Sequence, residues 1–169
     1  FREIKNLKVC NQYRFIHTGQ HYDKEMSDGF LTELNLPDPD FVLSTKSLNK
    51  SGMNFGDIYN AYFEHCKIFK PDLTVVVGDV HSTAACAMAA KHAQVKIVHI
   101  EAGLRCGEYY MPEEINRKTV DAISDILYVT TSNAKENLIK EGHSENKIEV
   151  VGNLMIDTLS KSKRHIDRQ

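Results

Sequence analysis

Three short runs constrain this chain more than anything else in it: VVVG (75–78), KIVHI (96–100) and EVVG (149–152). Each is apolar with scarcely a polar interruption, which suits a strand covered on both faces. Segments of helical period separate them. NFGDIYNAYFEHCKIFK carries apolar residues at 55, 58, 59, 62, 63 and 66, the spacing of an amphipathic helix. STAACAMAAKHA reads as a small-residue helix with Ser82 as its N-cap, EINRKTVDAIS as another helix, and SNAKENLIKEG as one that opens on a capping residue and closes at Gly142. In DKEMSDGFLTEL, Met26, Phe30, Leu31 and Leu34 share a helical face, and LPDPD ends that helix. YRFIHTG, FVLS and DILYVTT supply further strands, and MIDTLSKSKR a terminal helix. Strands alternating with helices through short turns predict an α/β fold, a Rossmann-like parallel sheet with helices on both faces.

Composition removes several functions. With 169 residues, one domain is the default, and 41% hydrophobic residues suffice for a core. A net charge of −2 gives no reason to expect a nucleic-acid or acidic-membrane partner. Cys10, Cys66, Cys86 and Cys106 lack C-x-x-C spacing and read as free thiols in a reducing compartment. No run approaches a membrane span, and FREIKNLKVC lacks the apolar region of a signal peptide, so a soluble cytoplasmic protein is expected. G-x-G-x-x-G, a Walker loop, G-x-S-x-G and metal-ligand spacing are all absent, so the expected cofactor and metal are none. STKSLNKSGM (44–53) reads as an exposed loop.

In open α/β sheets ligands bind beyond the carboxyl ends of the strands. Those ends carry Thr18-Gly19-Gln20-His21, Gly78-Asp79-Val80-His81, Glu101-Ala102-Gly103-Leu104-Arg105, Thr130-Thr131-Ser132 and Gly152-Asn153. Asp79 reads equally as a helix-capping carboxylate and as a ligand-facing one. Glu101 ends a core strand and precedes Ala-Gly, a poor place from which to cap a helix; it either pairs with Arg105 or faces a ligand. Glu113 and Glu114 follow Pro112 at a helix start, where acids suit the helix dipole, and Arg117 is one turn on. His21 and His81 lie at ligand-facing ends; His65 and His92 lie in helices and read as packing or surface residues.

Seven segments then occur together in a telling order: TGQHYDKEMSD, VVVGDVHST, HIEAGLR, MPEEINR, SDILYVTT, ENLIKEG and VGNLMIDTL. In order and spacing the chain resembles the bacterial and archaeal UDP-N-acetylglucosamine 2-epimerases of the non-hydrolysing type, from about residue 1 to 160. The resemblance implies one half of a GT-B-like two-domain fold. Residues 1–153 would form the N-terminal Rossmann-like domain, with its first, central strand expected before residue 1. Residues 154–169 would begin the interdomain connection, the C-terminal domain being absent from the chain. The implied activity interconverts UDP-N-acetylglucosamine and UDP-N-acetylmannosamine at C2, by eliminating UDP to give 2-acetamidoglucal and adding it back, in the supply of surface polysaccharide precursors. It implies Asp79, Glu101 and Glu113 as catalytic acids, with Arg105, Glu114, Arg117 and His81 binding substrate. It also implies a second, activating UDP-N-acetylglucosamine at Gln20 and His21, and a homodimer. STKSLNKSGMN stands where the family has a Gly/Ser/His-rich segment, and His81 stands where relatives often have Asn or Thr. Two other readings remain. A hydrolysing epimerase would release free N-acetylmannosamine, and Gln20-His21 argue against it. A non-catalytic remnant or binding module would have an apolar gap and unpaired edges where the central strand should lie.

Overall fold

The apolar runs are parallel strands in a computed structural model that describes residues 12–19, 37–43 and 54–166, with side chains as far as residue 160. Strands β1 (Ile16–His17) and β2 (Phe41–Val42) form a two-residue pair. Strands β3 (Leu73–Val77), β4 (Lys96–Ala102), β5 (Ile126–Val129) and β6 (Ile148–Val150) form a second sheet in that spatial order, parallel throughout. Helix α1 (Phe55–Phe69) precedes β3, and α2 (His81–His92), α3 (Pro112–Ile123) and α4 (Ser132–Lys140) make the crossovers. A 3-10 turn (Glu145–Lys147) leads into β6, and α5 (Leu154–Ile166) follows it. The helix expected in DKEMSDGFLTEL and the loop STKSLNKSGM lie outside the described residues, as does Cys10.

The predicted α/β architecture is therefore present, with one division the strand pattern did not foretell. The strands fall into two sheets, and the outer edge of β3 has no strand partner among the described residues. Register places Thr74, Val76, Ile97, His99, Leu127 and Ile148 on one face of the larger sheet. The described crossover helices cover this face, and most of these residues are buried among them. On the other face Leu73, Val75 and Val77 are about half exposed.

Helix α2 explains how the layer closes. Eight of its twelve residues are buried, because it packs between α1, α3 and the sheet and so needs apolar residues all round. Alanine supplies them without forcing the neighbouring elements apart. Ser82 is not its cap: the helix begins at His81, the cap position is Val80, and Ser82 is buried within the first turn. The hydroxyl of Thr83 donates to the Val77 carbonyl at 2.8 Å and ties the turn to the end of β3. Helix α1 follows the pattern more closely. The Asn54 side chain accepts from the Asp57 N–H at 3.0 Å, and Lys70 ends the helix in the left-handed conformation. Thr131 caps α4 by accepting from the Ala134 N–H.

One glycine fixes how closely the sheet meets α4. Gly103 has φ +74°, and a Cβ there would lie 2.4 Å from the Ala134 carbonyl oxygen and 2.9 Å from Leu138 Cγ. Gly103→Ala is expected to cost about 3 kcal/mol, from backbone strain and overpacking together. Urea denaturation would show this; a midpoint within error of the parent would mean that α4 is free to move away.

Candidate active site at the strand ends

The carboxyl ends of β3 and β4 meet at one place. Pairing of β4 with β5 shifts register between Ile100 and Ala102, and Glu101 is the bulged residue. Its φ is +69°, a left-handed conformation in a residue with a full side chain. Beside it, Gly78 has φ +72° and donates its N–H to the Ile100 carbonyl at 3.0 Å. A methyl group on Gly78 would lie 3.8 Å from Glu101 Oε2, so the Glu101 carboxylate lies close against the turn that carries Asp79. The two strand-end acids thus share one edge of the sheet.

Helix α3 holds Asp79 from the other side. Its buried face is polar where an ordinary helix would be apolar: Glu114, Arg117 and Asp121 recur at i, i+3 and i+7, with Asn116 beside them. Arg117 donates through Nη2 to Asp79 and through Nη1 to Glu114 Oε2 at 2.7 Å. Asn116 Nδ2 donates to the Asp79 carbonyl at 2.9 Å, so both the backbone and the carboxylate of Asp79 are fixed by α3. Glu114 is 1% exposed; Oε2 also accepts from the Cys106 N–H at 3.3 Å, while Oε1 is buried without a hydrogen-bond partner among the described residues.

A second buried group lies behind these acids. His99 and Asp121 are both fully buried, with Nδ1 of the ring 2.7 Å from Asp121 Oδ1. Nε2 lies 2.9 Å from the Gly78 carbonyl, and because a carbonyl only accepts, Nε2 carries a hydrogen. Asp121 Oδ2 accepts from the Gly103 N–H at 3.2 Å and from Arg105 Nη2 at 2.8 Å. Arg105 also grips Glu141 with Nε and Nη2 and donates Nη1 to the Leu104 carbonyl. Burial pulls the Arg105 guanidinium down, but Glu141 and Asp121 more than offset it and hold it above its ordinary range. Those same hydrogen bonds from Arg105 depress Glu141 to about 2, against the opposing effect of burial. A cavity of about 240 Å³ lies along this flank, lined by Arg105, Tyr109, Glu114, Lys118 and Glu141 among others. Neither Asp79 nor Glu101 lines it, and Arg105 and Lys118 on its wall both pair with Glu141.

Proteins of one known family share this fold. The family model described as UDP-N-acetylglucosamine 2-epimerase matches residues 4–169. The chain belongs to that family. It is 42% identical over 155 residues to the UDP-N-acetylglucosamine 2-epimerase of Methanocaldococcus jannaschii, covering 91% of this chain and 42% of the relative. The crystal structure of the M. jannaschii enzyme in complex with UDP-GlcNAc and UDP superposes with a TM-score of 0.84 at 37% identity, over 98% of this chain and 46% of that one. The UDP-2,3-diacetamido-2,3-dideoxy-D-glucuronate 2-epimerase of Pseudomonas aeruginosa is 41% identical over 145 residues, covering 85% of this chain and 41% of the relative. The chain thus spans less than half the length of the epimerases it matches, and its fold is the GT-B-like α/β domain that the resemblance implied.

Within this epimerase domain the expected site residues separate into groups. Asp79, Glu101, Glu114 and Arg117 come together. Glu113 is exposed in the first turn of α3, and Arg117 pairs with Glu114 rather than with it. His81 is exposed at the first position of α2. Arg105 does not pair with Glu101: it turns back onto Asp121 and Glu141, and the positive φ angles at 101 and 103 send the two side chains apart. Strand β1 leads into Thr18 and Gly19, while Gln20 and His21 lie outside the described residues. His65 is buried in packing and His92 is exposed, as read. The residues missed were His99, Asp121, Asn116 and Glu141. The E-x-x-R-x-x-x-D spacing from Glu114 to Asp121 was the available signal, since it puts three charges on one helical stripe.

Two measurements follow. Replacing Glu101 by Gly should relieve about 1–2 kcal/mol of left-handed strain and add back about 0.5–1 kcal/mol of chain entropy. A net gain of about 0.5–1 kcal/mol in denaturant stability is expected, and a loss would mean that Glu101 makes contacts worth more than its strain. Glu141 ionises lower in the folded state than its ordinary 4.5, so its stabilisation is complete above that value and is lost as pH falls toward about 2. Glu141→Gln should therefore cost about 1–2 kcal/mol at pH 7, between the values of exposed and buried pairs. The gap between parent and variant should close between pH 5 and pH 2; a constant gap would exclude the ionic contribution.

Proposed function

We propose that this chain provides the acid–base half of a UDP-sugar 2-epimerase site, acting on UDP-N-acetylglucosamine and UDP-N-acetylmannosamine. The observation that carries the reading is the meeting of Asp79 and Glu101 at adjacent strand ends, with Glu101 kept in a left-handed bulge where glycine would be relaxed. A carboxylate cannot remove the C2 proton of an intact neutral sugar, because that proton is not α to a carbonyl. If the C1–O bond to UDP breaks first or ahead of proton loss, C1 becomes cationic and the C2 proton acidic. Transfer of that proton to a carboxylate leaves 2-acetamidoglucal and UDP. The reverse reaction returns UDP to C1 and a proton to the opposite face of C2, with no net oxidation. Negative charge near C1 and an acid–base pair near C2 are what such a route requires, and Asp79, Glu101 and Glu113 are assigned to those tasks. Arg117 keeps Asp79 aimed and Glu114 keeps Arg117 aimed. The first turn of α2, which Val80 does not cap with a side chain, lies next to Asp79 and suits the departing diphosphate, with His81 beside it.

The family likeness supports C2 epimerisation more strongly than it selects the sugar, since the diacetamidoglucuronate epimerase is as similar as the N-acetylglucosamine enzymes. Thr18-Gly19-Gln20-His21 supports the non-hydrolysing type, with Gln20 and His21 receiving an activating UDP-N-acetylglucosamine. The test is a proton NMR time course in D2O with each UDP-sugar. Deuterium should appear at C2 with the UDP-sugar intact, and Asp79→Asn, Glu101→Gln and Glu113→Gln should each slow exchange by about 100-fold or more. Release of free N-acetylmannosamine would favour the hydrolysing type. A folded chain that leaves C2 protonated would exclude catalysis by this chain alone.

A further inference from the structure

The proposed chemistry uses acids at the sheet edge, but a fully buried, hydrogen-bonded His–Asp pair lies beneath them. We propose that His99 and Asp121 are positioning residues for that reaction, a buried staple that sets the Glu101 bulge against the Asp79 turn. The inference rests on the epimerase reading for its purpose and on geometry for its mechanism.

Residues 99 to 103 form a short arch. His99, two residues before Glu101, meets Asp121 Oδ1 through its ring, and Gly103, two residues after, donates its N–H to Asp121 Oδ2. One carboxylate from α3 therefore closes both feet of the arch, and the residue at its crown is the left-handed Glu101. The other edge of the His99 ring donates to the Gly78 carbonyl, one peptide before Asp79, while the Gly78 N–H is held by Ile100. Gly78 is thus fixed through both its N–H and its carbonyl. Through this ring the position of the Asp79 turn depends on that of the Glu101 arch. Arg105 completes the acceptor set of Asp121. Neither His99 nor Asp121 is exposed, so neither touches a substrate in the cleft. Their contribution is geometric, and it acts on two carboxylates at once.

The ring can be divided by substitution. The amide nitrogen of Gln reaches the Nε2 position and keeps a donor for Gly78; that of Asn reaches only the Nδ1 position and keeps a donor for Asp121. His99→Asn is expected to lower kcat for C2 exchange by about 100-fold, as for a displacement of about 1 Å, with KM changed less than about three-fold. His99→Gln should restore kcat to within about ten-fold of the parent, and isosteric Asp121→Asn should resemble His99→Asn. A merely structural role predicts instead that Gln and Asn lower kcat equally, in step with melting temperature, and that result would overturn the proposal. So would parental kcat in folded His99→Asn and Asp121→Asn. If His99→Asn does not fold, His99→Gln against Asp121→Asn carries the same comparison. The carboxyl and amide NMR shifts of Asp79 and Glu101, recorded without substrate, give a second readout. His99→Asn should move those of Asp79 and Asp121→Asn those of Glu101; unmoved shifts would sink the staple whether or not the chain turns over. Displaced shifts in a chain whose parent shows no C2 exchange would support the staple and count against the assigned reaction.

Discussion

Asp121 is a carboxylate with no access to solvent, and much of the domain is arranged around that fact. An unpaired charge at such a depth would cost several kcal/mol, so the fold has to bring donors to it. Three arrive from β4 and the loop that follows: the His99 ring, the Gly103 N–H and the Arg105 guanidinium. Hydrogen bonds to charged groups contribute about 1.5–3 kcal/mol each, while holding Glu101 left-handed costs about 1–2 kcal/mol. The first quantity exceeds the second even if only two of the three bonds are counted. The bulge at the end of β4 is therefore a consequence of how α3 is satisfied, and the direction of the Glu101 carboxylate follows from the bulge.

Two neighbouring helices divide the work. Helix α2 is apolar nearly all round and joins Ile58, Tyr62 and Cys66 of α1 to Val76 and Ile97 of the sheet in one core cluster. Burial of that surface provides the non-directional part of the stability. Burial also pushes the Cys86 thiol on α2 up to about 12, so that thiol is no ready nucleophile at neutral pH. Helix α3 places charge where α2 places methyl groups. Its contacts to Asp79, His99 and Gly103 add little net stability over an apolar stripe, yet they fix positions that an apolar stripe would leave to slide. The first helix holds the sheet edge in place, and the second aims what projects from it.

The regular part of the architecture was legible because it rests on periodicity. Continuous apolar runs became β3, β4 and β6, and the i, i+3, i+4 pattern became α1 with Asn54 and Lys70 at its ends. The site was legible only where a residue's position in the chain was itself unusual, as with Asp79 and Glu101 at strand ends. His99 was hidden because one polar residue in an apolar run gives no hint of its partners, which stand 21 and 22 positions away. Asp121 was hidden because α3 was read for its start signals rather than for its buried stripe. Ser82 has the right chemistry for a cap but stands two residues too late, since the backbone through Gly78, Asp79 and Val80 decides where α2 begins. The pairing of Arg105 with Glu101 failed on the same ground: proximity in sequence says nothing about side-chain direction across two left-handed residues.

Several departures from ordinary foldability cluster between Gly78 and Asp121: Glu101 at positive φ, the β-bulge there, a helix with charge on its buried face, Glu114 Oε1 without a partner among the described residues, and the buried His99–Asp121 pair. Strain and buried polarity persist only where the surroundings over-determine them. The charged flank around Glu141 shows the contrast, for there Arg105 and Lys118 both meet Glu141. At the β3–β4 edge the satisfied groups lie inside, and the acids they orient, Asp79 and Glu101, are left partly open. Such an edge is organised around something not supplied by the described part of the domain. The proposed substrate, a sugar that becomes cationic at C1, meets the requirement, because that cation is the species two fixed carboxylates stabilise more than they stabilise its neutral precursor.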